Sequence, residues 1–295
     1  MNKVIKRLLI FFIGLPVVLA IVVFLPFFNN LVMNIVVTVC SGIGAVEFSD
    51  MLRKKKIFVS KIESFILGAL APAAVTLHVS AGISQWLVIG ICMTGAGYAL
   101  MSGVFSRSSE IETVMNKVIG SFSLLVYPGF FVYWLIKMNF WGNSYAILLF
   151  LFMTFACDSL AWFFGSLFGE NNRGLFAVSP NKSIAGFIGG LLGPVILSII
   201  TALFFSSMFY LKTEYSIGQL NTSASLLLLA IVLGLCTGVA AVFGDLAESA
   251  IKRSCDFKDS GNLILGRGGV LDSIDSVAVA APVFYLLYST IFMNI

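Results

Sequence analysis

Apolar residues gather in nine long runs, at about 8–28, 30–49, 62–80, 84–105, 118–136, 143–166, 184–210, 224–250 and 271–294. A run of about 20 apolar residues spans a hydrocarbon core of roughly 30 Å as an α-helix, and a helix satisfies its own backbone polar groups in lipid. The pattern predicts an all-α, polytopic membrane protein of about nine transmembrane helices. An odd number of crossings puts the two termini on opposite sides.

Composition supports this reading. Apolar residues make up 59% of the 295 and charged ones 11%, against roughly 25% charged in an ordinary soluble domain. So few charges cannot cover a water-facing surface, and nine spans leave no room for a separate soluble domain. The positive-inside bias sets the orientation. With an inner N-terminus, 16 of the 18 Lys and Arg fall in inner segments, and Lys137 and Lys212 alone fall outside. The expectation is a cytoplasmic N-terminus and an outer C-terminus in the cell membrane. The basic start (Lys3, Lys6, Arg7) resembles a signal peptide, but the apolar run after it is long and no small-x-small site follows cleanly, so cleavage is not expected.

Cys40, Cys92, Cys157, Cys236 and Cys255 form no CxxC pair, and four lie in apolar runs, which suits small buried hydrophobes rather than disulfides or zinc ligands. His78 is the only histidine, which excludes multi-histidine zinc, haem or copper sites. Residues 1–140 carry few polar residues within spans and read as scaffold helices. Residues 141–295 concentrate acids, glycines and basic residues and read as the catalytic region of one integrated membrane domain. Gly186, Gly189, Gly190 and Gly193 recur at helical spacing, which suits close helix packing within or between chains.

Three stretches carry polar residues where lipid would forbid them. Asp158 sits inside a span, where an unpaired carboxylate costs about 2.5–3.5 kcal/mol on insertion scales. It suits a cation, a wet cavity or a structural partner. The loop Ser179-Pro180-Asn181-Lys182-Ser183 precedes the next span. A lysine and hydroxyls at a helix start suit an anionic oxygen, and equally an ordinary cap. In the third stretch, Asp245, Glu248, Ser249 and Lys252 share one helical face. Arg253, Lys258 and Asp259 follow, then the glycine-rich turn Gly266-Arg267-Gly268-Gly269, then Asp272 and Asp275 at the start of the last span. Acids from two helix ends, ringed by cations, suit a divalent ion. Oxygen ligands without histidine point to magnesium, which takes one or two carboxylates and completes its shell with water and substrate phosphate. The bland reading is a solvated loop with helix-end caps.

At these residues the chain resembles the phosphatidate cytidylyltransferases (CDP-diacylglycerol synthases). Their motif runs Ser, a spacer, Lys-Arg, four residues and Lys-Asp. It continues to His-Gly-Gly and Asp-Arg-x-Asp. Ser249, Lys252, Arg253, Lys258, Asp259, Gly261, Gly268, Gly269, Asp272 and Asp275 match in register. Gly244-Asp245 with Glu248-Ser249, Asp158 with Ala161 and Gly165, and Ser179-Pro180-x-Lys182-Ser183 with Gly186 resemble the family's other blocks. The chain departs from the pattern at Arg267 (His in the family), Ser273 (Arg), Ala185 (Glu), Ser166 (usually Arg) and Leu265 (usually Pro or Gly).

The resemblance implies an integral membrane nucleotidyltransferase that moves a cytidylyl group from CTP to phosphatidate at the cytoplasmic face, giving CDP-diacylglycerol and pyrophosphate for phospholipid synthesis. It implies Mg2+ on Asp245 and Asp272, with Glu248 and Asp275 in support. Lys252, Arg253, Lys258 and Arg267 would hold phosphate oxygens, with Asp259, Gly268 and Gly269 completing the substrate site. Lys182, Ser179 and Asn181 would hold the lipid phosphate or the nucleotide, and Asp158 would orient a cation. The expected partners are CTP, phosphatidate and the bilayer, with no nucleic acid, and a homodimer is open. The departures leave a diverged relative acting on another lipid phosphate, or an inactive one, as the alternative. A transporter is a further alternative, although the acids crowd one membrane side and no inverted repeat shows.

Overall fold

A computed structural model describes residues 14–104, 111, 113–142, 144–205, 222–264 and 267–292. Lys3, Lys6, Arg7, Arg107, Lys212, Leu265 and Gly266, which figure in the sequence reading, lie outside the described residues. The described residues are helical, with isolated β-bridges only. In chain order the helices are α1 (Leu15–Phe24), α2 (Phe27–Lys54), α3 (Lys61–Ala81), α4 (Gln85–Met101), α5 (Val114–Leu124), α6 (Phe131–Lys137), α7 (Ser144–Phe168), α8 (Ile184–Phe204), α9 (Thr222–Ser254) and α10 (Leu271–Phe292). A π-helical turn, Leu125–Phe130, joins α5 to α6 around Pro128.

Among the described residues, seven stretches are long and apolar enough to cross a bilayer: Phe27–Lys54, Lys61–Ala81, Val114–Trp141, Ser144–Phe168, Ile184–Phe204, Ala224–Ser254 and Leu271–Phe292. Of the other two expected spans, one corresponds to α4, with 17 residues, and the described part of the other, 8–28, holds the 10 residues of α1.

The chain divides into two compact units, one of Met1–Ser144 with Ile251–Ile274, the other of Tyr145–Ala250 with Asp275–Ile295. Residues 251–274, counted with the C-terminal region in the sequence reading, thus cluster with the first unit.

In the first unit, small residues let helices approach closely, which is how membrane helices gain packing energy. A Cβ on Gly68 would meet Ala45 Cβ and lie 2.9 Å from Ser41 O. Buried Ser41 binds the carbonyls of Gly68 and Pro128, tying α2, α3 and the π turn together. Around this contact Ala45, Phe48, Met51, Leu67 and Leu124 form a core that Cys255 and Leu271 join. That cluster anchors both ends of the 255–271 loop against α2. Local signals set the helix ends. Ser60 caps α3 by accepting from Glu63 N (3.2 Å), with Glu63 in the first turn. Gly82, at φ +70°, ends it. The lone His78 receives Lys137 Nζ at 3.0 Å and bonds Ile83 O, stacked on Phe140.

The second unit packs α8 on α7 through the glycine face. A Cβ on Gly186 would stand 2.8 Å from Ala161 O, and one on Gly193 would stand 2.9 Å from Ala156 O. The packing reading of these glycines therefore holds, and the face is spent within the chain. Gly234 does the same for α9 against Val195 and Ser198. Gly244 brings α9 against α10 near Asp275 O and Val279. Phe150, Phe284 and Tyr288 fill the interior. All five cysteines are free; Cys157 and Cys255 are buried, and Cys40, Cys92 and Cys236 are half-buried.

Candidate active site

Each unit holds a polar constellation built from the residues singled out in the sequence. In the second unit, the loop after α7 turns back on itself through bridges Arg173–Ser183 and Phe176–Ser179. Lys182 N donates to Ser179 O at 3.0 Å, and Gly174 N donates to Lys182 O at 3.1 Å. Ser183 then caps α8 by accepting from Gly186 N at 3.0 Å. This hairpin-like loop aims Lys182 Nζ at Asp245 Oδ2, 2.7 Å away. Asn181 is exposed and Ser179 half-buried beside it. Ser249 Oγ, one turn along α9, lies 3.4 Å from Asp245 Oδ1.

Close packing at Gly244 brings further acids together in this unit. Asp158, Asp245 and Glu248 all act electrostatically on Asp275, which is 5% exposed. Glu248 is fully buried and Asp158 half-buried. Four acids from α7, α9 and α10 within electrostatic reach of one another repel, so such a group suits cations, and Lys182 supplies one at Asp245.

In the first unit, Asp272 opens α10 with both carboxylate oxygens engaged. Oδ1 pairs with Lys252 Nζ at 2.5 Å, and the side chains are 6% and 11% exposed. Oδ2 accepts from Ser260 N (2.8 Å), Ser260 Oγ (2.9 Å) and Gly269 N (2.7 Å). Gly268 sits at φ +114°, where an L side chain is strained, and a Cβ there would run into Asp272 and Asp259. A Cβ on Gly269 would run into Ser260 and Glu47. The Cβ side of these glycines is thus filled by the protein's own side chains, the carboxylates of Asp272 and Glu47 among them. Arg253, Lys258 and Asp259 are exposed, with Arg253 Nη1 donating to Phe257 O at 3.3 Å, and Arg267 is half-buried.

Glu47 escaped the sequence reading. This α2 carboxylate, 8% exposed, accepts from Val270 N (3.0 Å), Leu271 N (2.8 Å) and Ser260 Oγ (3.2 Å). Its signal was an acid alone in the apolar stretch Gly44-Ala45-Val46-Glu47-Phe48.

A family model described as the cytidylyltransferase family matches residues 5–291. The chain belongs to the cytidylyltransferase family. Among relatives, the phosphatidate cytidylyltransferase of Chlamydia pneumoniae is 27% identical over 275 residues, covering 88% of this chain and 82% of its own length. That of Thermotoga maritima is 34% identical over 187 residues, 63% of this chain and 65% of the relative. That of Haemophilus influenzae is 38% identical over 143 residues. The last match spans 48% of this chain and 45% of the relative, so about half of each. Membership puts both constellations inside the matched region. Enzymes of this family are nucleotidyltransferases, and positions Lys182, Asp245, Lys252 and Asp272 supply cations and carboxylates of the kind such chemistry uses.

Proposed function

We propose that this integral membrane enzyme transfers the cytidylyl group of CTP to phosphatidate, giving CDP-diacylglycerol and pyrophosphate. The observation that carries the reading is the family match over residues 5–291 together with relatives of that name, one of them aligned over 82% of its length. A phosphate oxygen of the lipid attacks the α-phosphorus of CTP. The bond from that phosphorus to the β-bridging oxygen breaks, and pyrophosphate leaves with its electron pair. The lipid supplies the nucleophile, so no side chain need do so.

Lys182, tied to Asp245 yet part open to water, binds a phosphate oxygen of one substrate, with Ser179 and Asn181 beside it. Asp158 orients the charges of the second unit. In the first unit Arg253, Lys258 and Arg267 draw in the triphosphate, and Lys252 is held in place by Asp272.

Magnesium fits as a cofactor in a restricted way. Among the described residues, no three His, Cys, Asp or Glu side chains gather in ligating geometry. An ion that takes one or two carboxylates and completes its shell with water and substrate phosphate suits such a donor set. Asp245 would hold it in the second unit, with Glu248 and Asp275 in support. In the first unit Asp272 would do so through Oδ1, the oxygen it shares with Lys252. When bound, the ion would neutralise charge on phosphate oxygens.

The charge bias supports nine crossings, a cytoplasmic N-terminus, an outer C-terminus and an active site facing the cytoplasm. A homodimer would need a face other than the glycine stripe of α8. The deciding experiment measures conversion of labelled CTP and phosphatidate to a CDP-lipid in membranes holding the protein. Absence of turnover with phosphatidate, but turnover with another lipid phosphate, would instead support the diverged-relative reading suggested by Arg267 and Ser273.

A further inference from the structure

The Glu47 carboxylate has been given no substrate and no metal, yet it meets the Asp272 constellation directly. Glu47 lies on α2 within the core that includes Ala45, Phe48 and Met51, and it reaches 213 residues along the chain to Ser260 and 224 to Leu271. Its Oε1 accepts from Val270 N and its Oε2 from Leu271 N, so it covers two amides that no turn of α10 can satisfy. A carboxylate at that end is also favoured by the helix dipole.

The Ser260 hydroxyl makes the link to the site. It lies 3.2 Å from Glu47 Oε2 and 2.9 Å from Asp272 Oδ2, and it accepts from Asp272 N at 3.2 Å. A hydroxyl has one proton and two lone pairs, so the two carboxylates share a single donor. Its orientation, and with it the donor set around Asp272 Oδ2, depends on Glu47. Removing the carboxylate leaves buried amides unpaired and frees the Ser260 proton to turn fully to Asp272. The absence of a side chain at Gly261 and Gly269 is what lets Glu47 come this close.

We infer that Glu47 is a positioning residue of the enzyme, acting through Ser260 and the first turn of α10 to set the Asp272 carboxylate that holds Lys252. The inference rests on the cytidylyl-transfer reading for its kinetic consequence only.

The test compares wild type, Glu47→Gln, Ser260→Ala and the double variant as full-length protein in lipid nanodiscs. Hydrogen exchange is followed at Ser260 and Gly269, whose amides bind Asp272 and do not touch Glu47, and at Val270 and Leu271, which do. The expected result is at least threefold faster exchange at Ser260 and Gly269 in Glu47→Gln. A kcat loss of about ten- to hundredfold should accompany it, the size of a lost charged hydrogen bond, with KM for CTP changed less than about twofold. Coupling through Ser260 further requires the double variant to lose less than the product of the single losses. Faster exchange confined to Val270 and Leu271 makes Glu47 a helix cap only and overturns the inference. Full kcat in Glu47→Gln beside an inactive Asp272→Ala does the same, as does multiplicative loss in the double variant. If Glu47→Gln does not fold, Ser260→Ala alone must show the exchange change at Gly269 and the kcat loss, or the inference fails. If wild type makes no CDP-lipid, the cytidylyl-transfer reading is what has failed, and the exchange pattern decides the role of Glu47 by itself.

Discussion

Lys182 reaches Asp245 across 2.7 Å with neither side chain sealed from water, their exposures being 28% and 37%. An ion pair this open contributes about 0–1 kcal/mol to stability, yet a side chain at a loop-to-helix junction next to four acids is well placed to exchange its partner for a phosphate. Lys182→Met should therefore leave the thermal midpoint within about 4 °C, since 1 kcal/mol moves a protein of this size by roughly 2–4 °C. CDP-lipid formation should fall by about ten- to hundredfold, the size of a lost charged hydrogen bond. Lys182→Arg should recover part of it. Thermal unfolding beside turnover separates the two effects, and parallel loss in both would make the pair structural.

Asp245 is the carboxylate that Lys182 and Ser249 both address. Replacing it with Asn keeps the shape and removes the charge. Turnover should drop below detection while the protein still inserts in the membrane, and chelation of divalent ions should silence wild type to the same degree. Restoring magnesium should rescue wild type alone. Magnesium-dependent activity in Asp245→Asn would move the metal to other residues.

The pair Lys252–Asp272 behaves differently because it is nearly closed to water, at 11% and 6% exposure. Breaking a buried pair by removing one partner costs about 3–5 kcal/mol, because the remaining charge is left uncompensated. Lys252→Met should thus lower the thermal midpoint by several degrees where Lys182→Met does not. The contrast is read from the two melting curves in one buffer. Equal midpoints would mean that the donors of Ser260 and Gly269 suffice to hold Asp272.

Local chemistry was legible in the sequence to the extent that it is local. The Ser183 cap, the helix carrying Asp245, Glu248 and Lys252, and the glycine face of α8 follow from spacing, and each appears at the residues that spacing named. Glu47 follows from no spacing, because its partners lie more than 200 residues away and only packing brings them together. The acid inside an apolar stretch was a signal without an address. The left-handed turn at Phe28, Asn29 and Asn30 was equally hidden. Asparagine tolerates that conformation, but Phe28 does not by itself. It is held by tertiary bonds from Asn29 Nδ2 to Val79 O and from Asn30 Nδ2 to Asn139 Oδ1. An apolar run also locates a helix without saying where a turn cuts it, as at Leu25-Pro26 before α2.

Two glycine-to-alanine changes test whether the glycines serve packing or flexibility. At Gly269 a Cβ would collide with Ser260 and the Glu47 carboxylate, and a buried carboxylate in its bonded position cannot give way cheaply. At Gly90 on α4 a Cβ meets nothing within 4 Å. Gly269→Ala should lower the thermal midpoint and CDP-lipid formation together. Gly90→Ala should leave activity unchanged and raise stability by up to about 1 kcal/mol, the helix-propensity difference between the residues. Tolerance of alanine at Gly269 would mean that Glu47 is not seated as tightly as its bonds to Val270 N and Leu271 N require.

The orientation of the first unit is open to direct measurement. Helix α3 runs 21 residues from Lys61 to Ala81, about 31 Å at 1.5 Å per residue, long enough for its two ends to reach opposite faces of a bilayer core. Basic residues crowd one end: Arg53, Lys54, Lys55, Lys56 and Lys61 lie before or at its start, whereas Ala81 and Gly82 at the other end carry no charge. The positive-inside bias therefore predicts a cytoplasmic Lys55. In a background with the five native cysteines replaced, Ala81→Cys should react with a membrane-impermeant maleimide on intact cells. Lys55→Cys should react only after permeabilisation. The reverse pattern would turn the unit over and put the proposed cytoplasmic face of the enzyme on the wrong side for CTP.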